Sequence, residues 1–270
     1  MIRQIIMDLL KEYGIDQTKK DTNTDCETNL NSFDTIVLLD LSGSMYNKDF
    51  NMEKIELSID SIKDNFDSKF FEYFLSEIDG EKEISRYQGA LIGILFYIIK
   101  TIERKEDYNI SIIPFSDNAE AIKFEGKKFF SSSQSDLEII FDRLIKDIEE
   151  FLRGKTDIRS AIEESIEVMK ELKKDRMKMI VLLTDQNPDE KSNDSKIVIQ
   201  NLIKDRLSPR KDIVINTVGL GDDVDEELLN SIASKTGGEF MKAESMSDLD
   251  DAFSRFSKVV SKKSSMIFDE

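Results

Sequence analysis

The sequence predicts an α/β fold, with a doubly wound and mostly parallel β-sheet that carries helices on both faces. Two observations lead to this prediction. Short, continuous apolar runs recur along the chain, and such runs are typical of strands that are covered on both faces. Segments with helical periodicity separate these runs, and strands that alternate with helices indicate βαβ units.

Five apolar runs predict the strands. The first contains the uninterrupted sequence IVLL, and the next three are similarly rich in β-branched residues and leucine. The fifth is shorter and follows a Gly-Gly turn. The predicted strands are 33–40, 108–115, 177–185, 212–219 and 239–243.

Six segments with apolar residues at helical spacing predict the helices. They are 86–104, 136–152, 158–172, 194–207, 224–236 and 247–260. Segment 46–84 does not follow the alternation, because it combines several aromatic residues with many charges. We interpret it as an insertion with about one or two helices of its own, and long interruptions of this kind are often functional.

The two ends of the chain also fall outside the alternation. Apolar residues mark one face of a short amphipathic helix at 1–14, and a polar linker follows at 15–32. We therefore predict a main domain at 33–257 and a tail at 258–270.

The composition excludes several classes of function. The chain has 270 residues, a formal net charge of −17, no histidine and one cysteine. Without histidine there is no Ser-His-Asp triad and no His-ligated zinc site, and a single cysteine forms no internal disulfide. The negative charge argues against nucleic acid as a partner, because binding to phosphates requires a basic surface.

The sequence also predicts a protein that does not enter a membrane. No run reaches the roughly 18 uncharged apolar residues that a membrane span needs. The N-terminal segment has Asp8 within its apolar stretch and no small-residue cleavage site, so it does not resemble a secretion signal. We therefore expect a cytoplasmic location.

The end of the first predicted strand carries the motif DLSGS at 40–44. In an open parallel sheet, ligands bind beyond the carboxyl ends of the strands. The motif alone also fits a turn in which Ser42 or Ser44 caps the next helix. Two distal oxygen donors, Thr156 before a helix and Asp185 at the end of another strand, favour a shared cation site instead.

Five oxygen donors could converge on one cation at this edge of the sheet. They are Asp40, Ser42, Ser44, Thr156 and Asp185. Carboxylate and hydroxyl oxygens are hard ligands that suit Mg²⁺ or Mn²⁺. The sequence therefore predicts a site for one of these two cations.

With these residues the chain resembles the von Willebrand factor A (VWA) domain family, which has a Rossmann-like fold and a metal-ion-dependent adhesion site (MIDAS). The family's site consists of D-x-S-x-S, a distal Thr and a distal Asp. The motif at 40–44 matches the first part, Thr156 within GKTDIRSAI the second, and Asp185 within IVLLTDQ the third. The resemblance covers roughly 33–257; one departure is Gln186, where the family often has Gly.

The resemblance implies a binding module and not an enzyme. In the family, the cation keeps one coordination position open, and an acidic side chain of a partner protein fills it. We therefore expect an intracellular, metal-dependent protein–protein interaction module with no catalytic residues. On a chain with a net charge of −17, the cation would be a rare positive point for such a partner.

Two other functions stay open at this stage. The chain could be a scaffold or adaptor subunit with a structural metal, since intracellular relatives of the family often act beside AAA+ ATPases or in stress and defence complexes. The helix at 1–14 or the insertion at 46–84 would then dock into the assembly. Less favoured is a metal-dependent phosphohydrolase with Asp40 as nucleophile, because haloacid-dehalogenase-like chemistry needs a second Asp where this chain has Ser42.

Overall fold

A central sheet of six strands organises the computed structural model, which describes residues 33–51, 78, 81–103, 108–124, 126–131, 154–185 and 193–268. In chain order the strands are β1 (Phe33–Asp40), β2 (Lys48–Asn51), β3 (Glu83–Ser85), β4 (Asn109–Phe115), β5 (Phe130–Ser131), β6 (Met177–Thr184), β7 (Ile213–Leu220) and β8 (Phe240–Ala243). The helices are α1 (Arg86–Glu103), α2 (Ile158–Glu171), α3 (Asn193–Arg206), α4 (Glu226–Ser234) and α5 (Met246–Phe268).

The strand order in the central sheet is β5-β4-β1-β6-β7-β8. In this sheet, the neighbouring strands β4, β1, β6, β7 and β8 are parallel to one another. The edge strand β5 is antiparallel to its neighbour β4. Strands β2 and β3 form a separate antiparallel pair beside the sheet. The predicted α/β fold with a mostly parallel sheet is confirmed.

Both faces of the sheet are covered, as the apolar runs predict. Every residue of β1, β6 and β7 is buried. Along β1, Val37 and Leu39 pack with α1 and α5, whereas Ile36 and Leu38 pack with the helices α2, α3 and α4 on the other face. Alternate residues of one strand therefore belong to two separate hydrophobic layers, which is the arrangement of a doubly wound fold.

The predicted strands and most of the predicted helices are present, with differences at the ends. Strand β5 was not predicted, because its two residues are too short to show a pattern. The predicted amphipathic helix at 1–14, the linker at 15–32 and the helix at 136–152 lie outside the described residues. Of the insertion at 46–84, the described part contains β2 and the first residues of β3.

The last helix is longer than the sequence predicts. Helix α5 continues to Phe268 and replaces most of the predicted tail at 258–270. The reason is packing: Val260 and Ser264 are buried. Between them, Lys263 donates to the carbonyl oxygen of Thr236 at 2.9 Å. The sequence there lacks a long apolar run, so these contacts were not visible in the pattern.

In the described part of the chain, no helix has both the length and the apolar character needed to cross a bilayer.

Candidate metal site

The parallel arrangement of β1 and β6 brings two aspartates to the same edge of the sheet. The two strands pair with Leu39 opposite Leu183. Asp40 therefore ends β1 beside Thr184, and Asp185 follows directly. Both carboxylates are fully buried, with 0% of Asp40 and of Asp185 exposed.

Neutral groups hold the carboxylate of Asp40. The backbone N–H of Ser42 donates to Asp40 Oδ1 at 2.8 Å, which closes a tight turn at the strand end. The hydroxyl of Thr184 donates to Asp40 Oδ2. The turn leads into a short 3₁₀ helix at Gly43–Tyr46, and the side chain of Ser42 makes no capping hydrogen bond to it. The capping role that the sequence left open for Ser42 is therefore not observed.

The two serine hydroxyls join the motif to the second aspartate. Ser42 Oγ and Ser44 Oγ lie 3.3 Å apart, at hydrogen-bonding distance. Ser44 Oγ donates to Asp185 Oδ1 at 2.8 Å, although 141 positions separate these residues in the sequence. The structure therefore links four of the five predicted donors in one cluster. Ser42 is buried and Ser44 is half-buried, so the cluster opens toward solvent on the serine side.

The fifth predicted donor, Thr156, lies on a neighbouring loop at 154–157. The N–H of Gly43 donates to the carbonyl oxygen of Gly154 at 3.2 Å, and this bond holds the loop against the motif. A Cβ at position 154 would lie 2.7 Å from Asp117 Oδ2, so a side chain there would require Asp117 to move. Thr156 is half-buried and takes part in none of the hydrogen bonds within the cluster. The structure thus holds the loop that carries Thr156 against the motif through Gly154.

Because the carboxyl groups of Asp40 and Asp185 are buried, the charged form of each is disfavoured unless a cation lies nearby. Desolvation raises the pKa of Asp40 to about 7, hydrogen bonds from Thr184 and Ser42 oppose the rise, and the nearby charge of Asp185 adds to it. Burial also raises the pKa of Asp185, against the hydrogen bonds from Ser44 and Arg86. Buried charges in proteins are usually paired or bound to a metal. Two buried carboxylates side by side are therefore a suitable environment for a divalent cation, which would stabilise their charged forms.

Sequence reasoning missed one charged residue at this site, Arg86. Its guanidinium donates from Nε to Asp49 Oδ1 at 2.8 Å, from Nη2 to Asp49 Oδ2, and from Nη1 to Asp185 Oδ2 at 2.8 Å. These bonds, first those to Asp49, raise the pKa of Arg86, so it stays a cation. No pattern in the sequence identifies Arg86, because it follows an insertion and precedes an ordinary helical pattern.

Sequence reasoning also missed Thr184, for which a signal was present. Thr184 and Asp185 are adjacent at the end of a predicted strand. Because the carboxyl ends of parallel strands meet at one edge of a sheet, a hydroxyl at the end of one predicted strand could have been expected near an aspartate at the end of another.

The donor set matches the chemistry of a hard cation. Its charged ligands would be two carboxylates, and its neutral ligands would be hydroxyl oxygens. Within the described residues, no group of three or more Cys, Asp or Glu side chains is arranged to hold a metal ion. A cation at this edge would therefore depend on the serine and threonine hydroxyls as much as on the two aspartates.

Comparison with known families gives one match. The model of the von Willebrand factor type A domain matches residues 82–255. The matched region begins after the motif at 40–44 and includes Thr156, Asp185 and strands β4 to β8. Comparison with curated proteins by sequence detects no relative.

Solved structures with the same fold are distant in sequence. A von Willebrand factor type A protein from Catenulispora acidiphila is 14% identical, with a TM-score of 0.53 over 87% of this chain and 43% of that one. A D319A mutant of the PilB minor pilin from Streptococcus sanguinis is 15% identical, with a TM-score of 0.59 over 88% of this chain and 63% of that one. This chain therefore spans less than two thirds of the length of these two proteins.

A third structure comes from the mussel byssus. Proximal thread matrix protein 1 is 16% identical, with a TM-score of 0.52 over 88% of this chain and 48% of that one. That structure has a zinc-occupied MIDAS motif. At these identities the likeness shows the fold alone.

Proposed function

Because this chain belongs to the von Willebrand factor type A family, whose domains commonly serve as protein-interaction modules, we propose that it binds an acidic side chain of a partner protein through a divalent cation. The cation is Mg²⁺ or Mn²⁺. Its ligands are the five predicted oxygen donors: Asp40, Ser42, Ser44, Thr156 and Asp185.

The hydrogen-bonded cluster at the carboxyl edge of the sheet carries this proposal. Ser44 bonds to Asp185 at 2.8 Å and approaches Ser42 at 3.3 Å, so three donors from two distant segments already converge. Burial raises the pKa of Asp40 to about 7, and a nearby cation would reverse that effect. The zinc-occupied MIDAS motif of the mussel protein, which has the same fold, supports a divalent cation at a motif of this kind.

The protein's own residues explain how such a site would accept a partner. When bound, the cation supplies a positive charge that attracts a carboxylate. The two aspartates approach it from the buried side, and the half-buried Ser44 faces solvent. A partner can therefore approach from the serine side without displacing the buried carboxylates. An intracellular setting is part of the proposal, and the presence of a single cysteine, Cys26, agrees with it.

Two titrations test the proposal. Calorimetry with Mg²⁺ and Mn²⁺ on the full chain, after treatment with EDTA, measures binding of the cation. Acetate is then added to the Mn²⁺-loaded protein as a carboxylate probe, and water-proton relaxation reports whether it displaces metal-bound water. We expect both signals in the native protein and neither in Asp40→Ala.

Partner capture supplies the second test. Proteins that bind the native chain in Mg²⁺ should be released by EDTA and should not bind Asp40→Ala. Equal capture with Mg²⁺ and with EDTA would contradict the metal bridge and leave a structural role for the site. Hydrolysis of p-nitrophenyl phosphate that depends on Mg²⁺ and on Asp40 would favour the phosphohydrolase instead.

A further inference from the structure

Arg86 is a built-in cation beside the candidate metal site. It is the first residue of α1, and its backbone N–H donates to the carbonyl oxygen of Asn47 at 3.2 Å, directly after the motif segment. Only 6% of its side chain is exposed. Its guanidinium forms a bidentate pair with Asp49 and a third bond, of 2.8 Å, with Asp185.

The fold encloses this side chain at a fixed place. Gly221 follows the last residue of β7 and has a φ of +85°, a conformation that favours glycine. A Cβ at Gly221 would lie 2.5 Å from Cζ of Arg86, so the guanidinium rests on the bare backbone. Arg86 is therefore confined between the ends of β6 and β7 and the strand β2 that carries Asp49.

The carboxylate of Asp185 is divided between two donors. Its Oδ1 accepts from Ser44, and its Oδ2 accepts from Arg86. Asp40 differs, because its hydrogen bonds come from the neutral groups of Ser42 and Thr184. Asp185 therefore already bonds to the permanent positive charge of Arg86, whereas the groups that bond to Asp40 are neutral.

We propose that Arg86 is a positioning residue that holds Asp185 toward Ser44 and limits how much negative charge Asp185 gives to a bound cation. This inference rests on the proposed metal site. A guanidinium and a divalent cation that share one carboxylate repel each other. The negative charge of that carboxylate is then divided between them, so it neutralises each of them less than it would neutralise one alone. The site consequently binds its cation more weakly than two free aspartates would, and the bound cation keeps more positive charge for the carboxylate of a partner.

This division of charge predicts effects of opposite sign on the two binding steps. In Arg86→Gln the competing charge is absent, so we expect Mn²⁺ and Mg²⁺ to bind about tenfold more tightly, as for removal of one charge at a partly buried site. Acetate should then bind the Mn²⁺-loaded variant several-fold more weakly. In Arg86→Lys the charge is retained, and the affinity for the cation should stay within about threefold of the native value.

Asp49→Asn is the matched control. Asp49 is 44% exposed at its side chain, so the variant removes a partly exposed carboxylate and leaves the buried guanidinium of Arg86 bonded to Asp185. Without Asp49, the guanidinium is drawn more strongly to Asp185, and we expect the cation to bind several-fold more weakly. Arg86→Gln and Asp49→Asn break the same ion pair, so a merely structural role would change metal affinity in the same direction in both.

The experiment is calorimetric titration of Mn²⁺ into the metal-free full chain and its three variants, with circular dichroism as a check of folding. Opposite shifts in Arg86→Gln and Asp49→Asn support the inference. Shifts of the same sign, or no shift, overturn it, and Asp49→Asn decides alone if Arg86→Gln does not fold.

The two proposals fail in distinguishable ways. If the native chain binds the cation and Arg86→Gln binds it equally well, only the role of Arg86 is wrong. If the native chain binds no cation but Arg86→Gln does, the charge effect stands and the metal bridge of the native protein is wrong. Absence of binding in both would overturn both.

Discussion

The two ends of strand β1 each carry a fully buried aspartate, Asp34 at the start and Asp40 at the end. At the start, the surrounding protein supplies positive charge. At the end, the groups that bond to Asp40 are the neutral N–H of Ser42 and hydroxyl of Thr184. The same residue type in the same strand therefore meets two different electrostatic environments.

Protein groups of both kinds, neutral and positively charged, surround Asp34 at the start of the strand, although its Oδ2 is buried without a hydrogen-bond partner. Asp34 pairs across the sheet with Lys178, and both side chains are buried. Asn109 donates to Asp34 Oδ1 from Nδ2 at 2.8 Å, and Arg176 Nη1 lies 3.6 Å from the same oxygen. The ammonium of Lys178 donates to the carbonyl oxygens of Lys173 and Arg176.

This comparison separates a structural charge cluster from a binding site. Asp34 has two cations of the protein beside it, whereas Asp40 lies near a second carboxylate, that of Asp185, whose charge raises its pKa. An external cation would therefore gain more at the end of β1 than at its start. The predictions below test this difference with matched substitutions at the two ends.

The largest expected effect is on folding, at the start of the strand. Lys178→Met removes a buried charge and leaves Asp34 beside Arg176 alone. It also removes the donor to the carbonyl oxygens of Lys173 and Arg176, and a buried polar group left without its partner costs about 1–3 kcal/mol. Urea denaturation followed by circular dichroism should show a loss of this size in the free energy of unfolding.

The double variant Asp34→Asn, Lys178→Met is the control for this prediction. It removes both charges, so the part of the loss that comes from leaving Asp34 without the charge of Lys178 should return. Affinity for Mn²⁺ should not change in either variant, because the opposite edge of the sheet is untouched. A cost below about 1 kcal/mol for Lys178→Met alone would show that the cluster does not depend on the charge and hydrogen bonds of Lys178.

The second effect is on metal binding, at the end of the strand. Asp40→Asn keeps the size of the side chain and removes one of the two proposed carboxylate ligands, so Mn²⁺ should bind about a hundredfold more weakly, or about 2.7 kcal/mol. The metal-free variant should be no less stable than the native protein at neutral pH, because burial disfavours the charge that is removed. Calorimetry and urea denaturation measure the two quantities.

Asp34→Asn is the matched control at the other end of the same strand. Its affinity for Mn²⁺ should stay within about twofold of the native value, because no ligand is lost. Equal weakening by Asp34→Asn and Asp40→Asn would mean that metal binding responds to the fold as a whole and that the two ends do not differ in function.

Much of the fold could be predicted because the strands at its centre are covered on both faces. Continuous apolar runs such as IVLL in β1 indicate this situation directly. The motif at 40–44 and Asp185 were identified because the ends of parallel strands meet at one edge. The structure links these residues by hydrogen bonds, and the metal itself stays a prediction.

The missed residues show where sequence reasoning stops. Asp34 looks like a polar boundary of an apolar run, and its partner Lys178 looks like a break in the next run. Only the register of β1 with β6 sets them side by side. Arg86 is harder still, because its target depends on the separate pair β2–β3, which brings Asp49 within reach. Contacts of this kind come from tertiary structure and leave no periodic pattern.

A smaller effect is expected from removing one neutral hydrogen-bond donor at each end of β1. Ser44→Ala removes a proposed hydroxyl ligand and the hydrogen bond to Asp185, and we expect about tenfold weaker binding of Mn²⁺. Asn109→Ala removes a donor to Asp34 and should cost about 1–3 kcal/mol of folding stability without any effect on Mn²⁺. Calorimetry and urea denaturation of both variants check this pair. Loss of metal affinity in Asn109→Ala would contradict the separation of the two ends.

The smallest effect concerns the pH dependence of stability at the start of the strand. Burial raises the pKa of Asp34 above its usual 3.8, and the bond from Asn109 and the charges of Lys178 and Arg176 oppose the rise. The folded state therefore holds this proton more tightly than the unfolded state does. The stability that results is fully present below pH 3.8 and is lost as the pH rises through the pKa of the folded state.

Asp34→Asn cannot titrate at this position, so it isolates the contribution of one carboxyl group. We expect the free energy of unfolding of the native protein, minus that of Asp34→Asn, to fall as the pH rises above 3.8 and then to level off. Urea denaturation in EDTA across this range measures the difference, and titration of Asp40 cancels because both proteins contain it. A difference that rises with pH would mean that Lys178 and Arg176 outweigh burial. Asp34 would then be a strongly stabilised anion, and the contrast with Asp40 would be larger than its burial alone indicates.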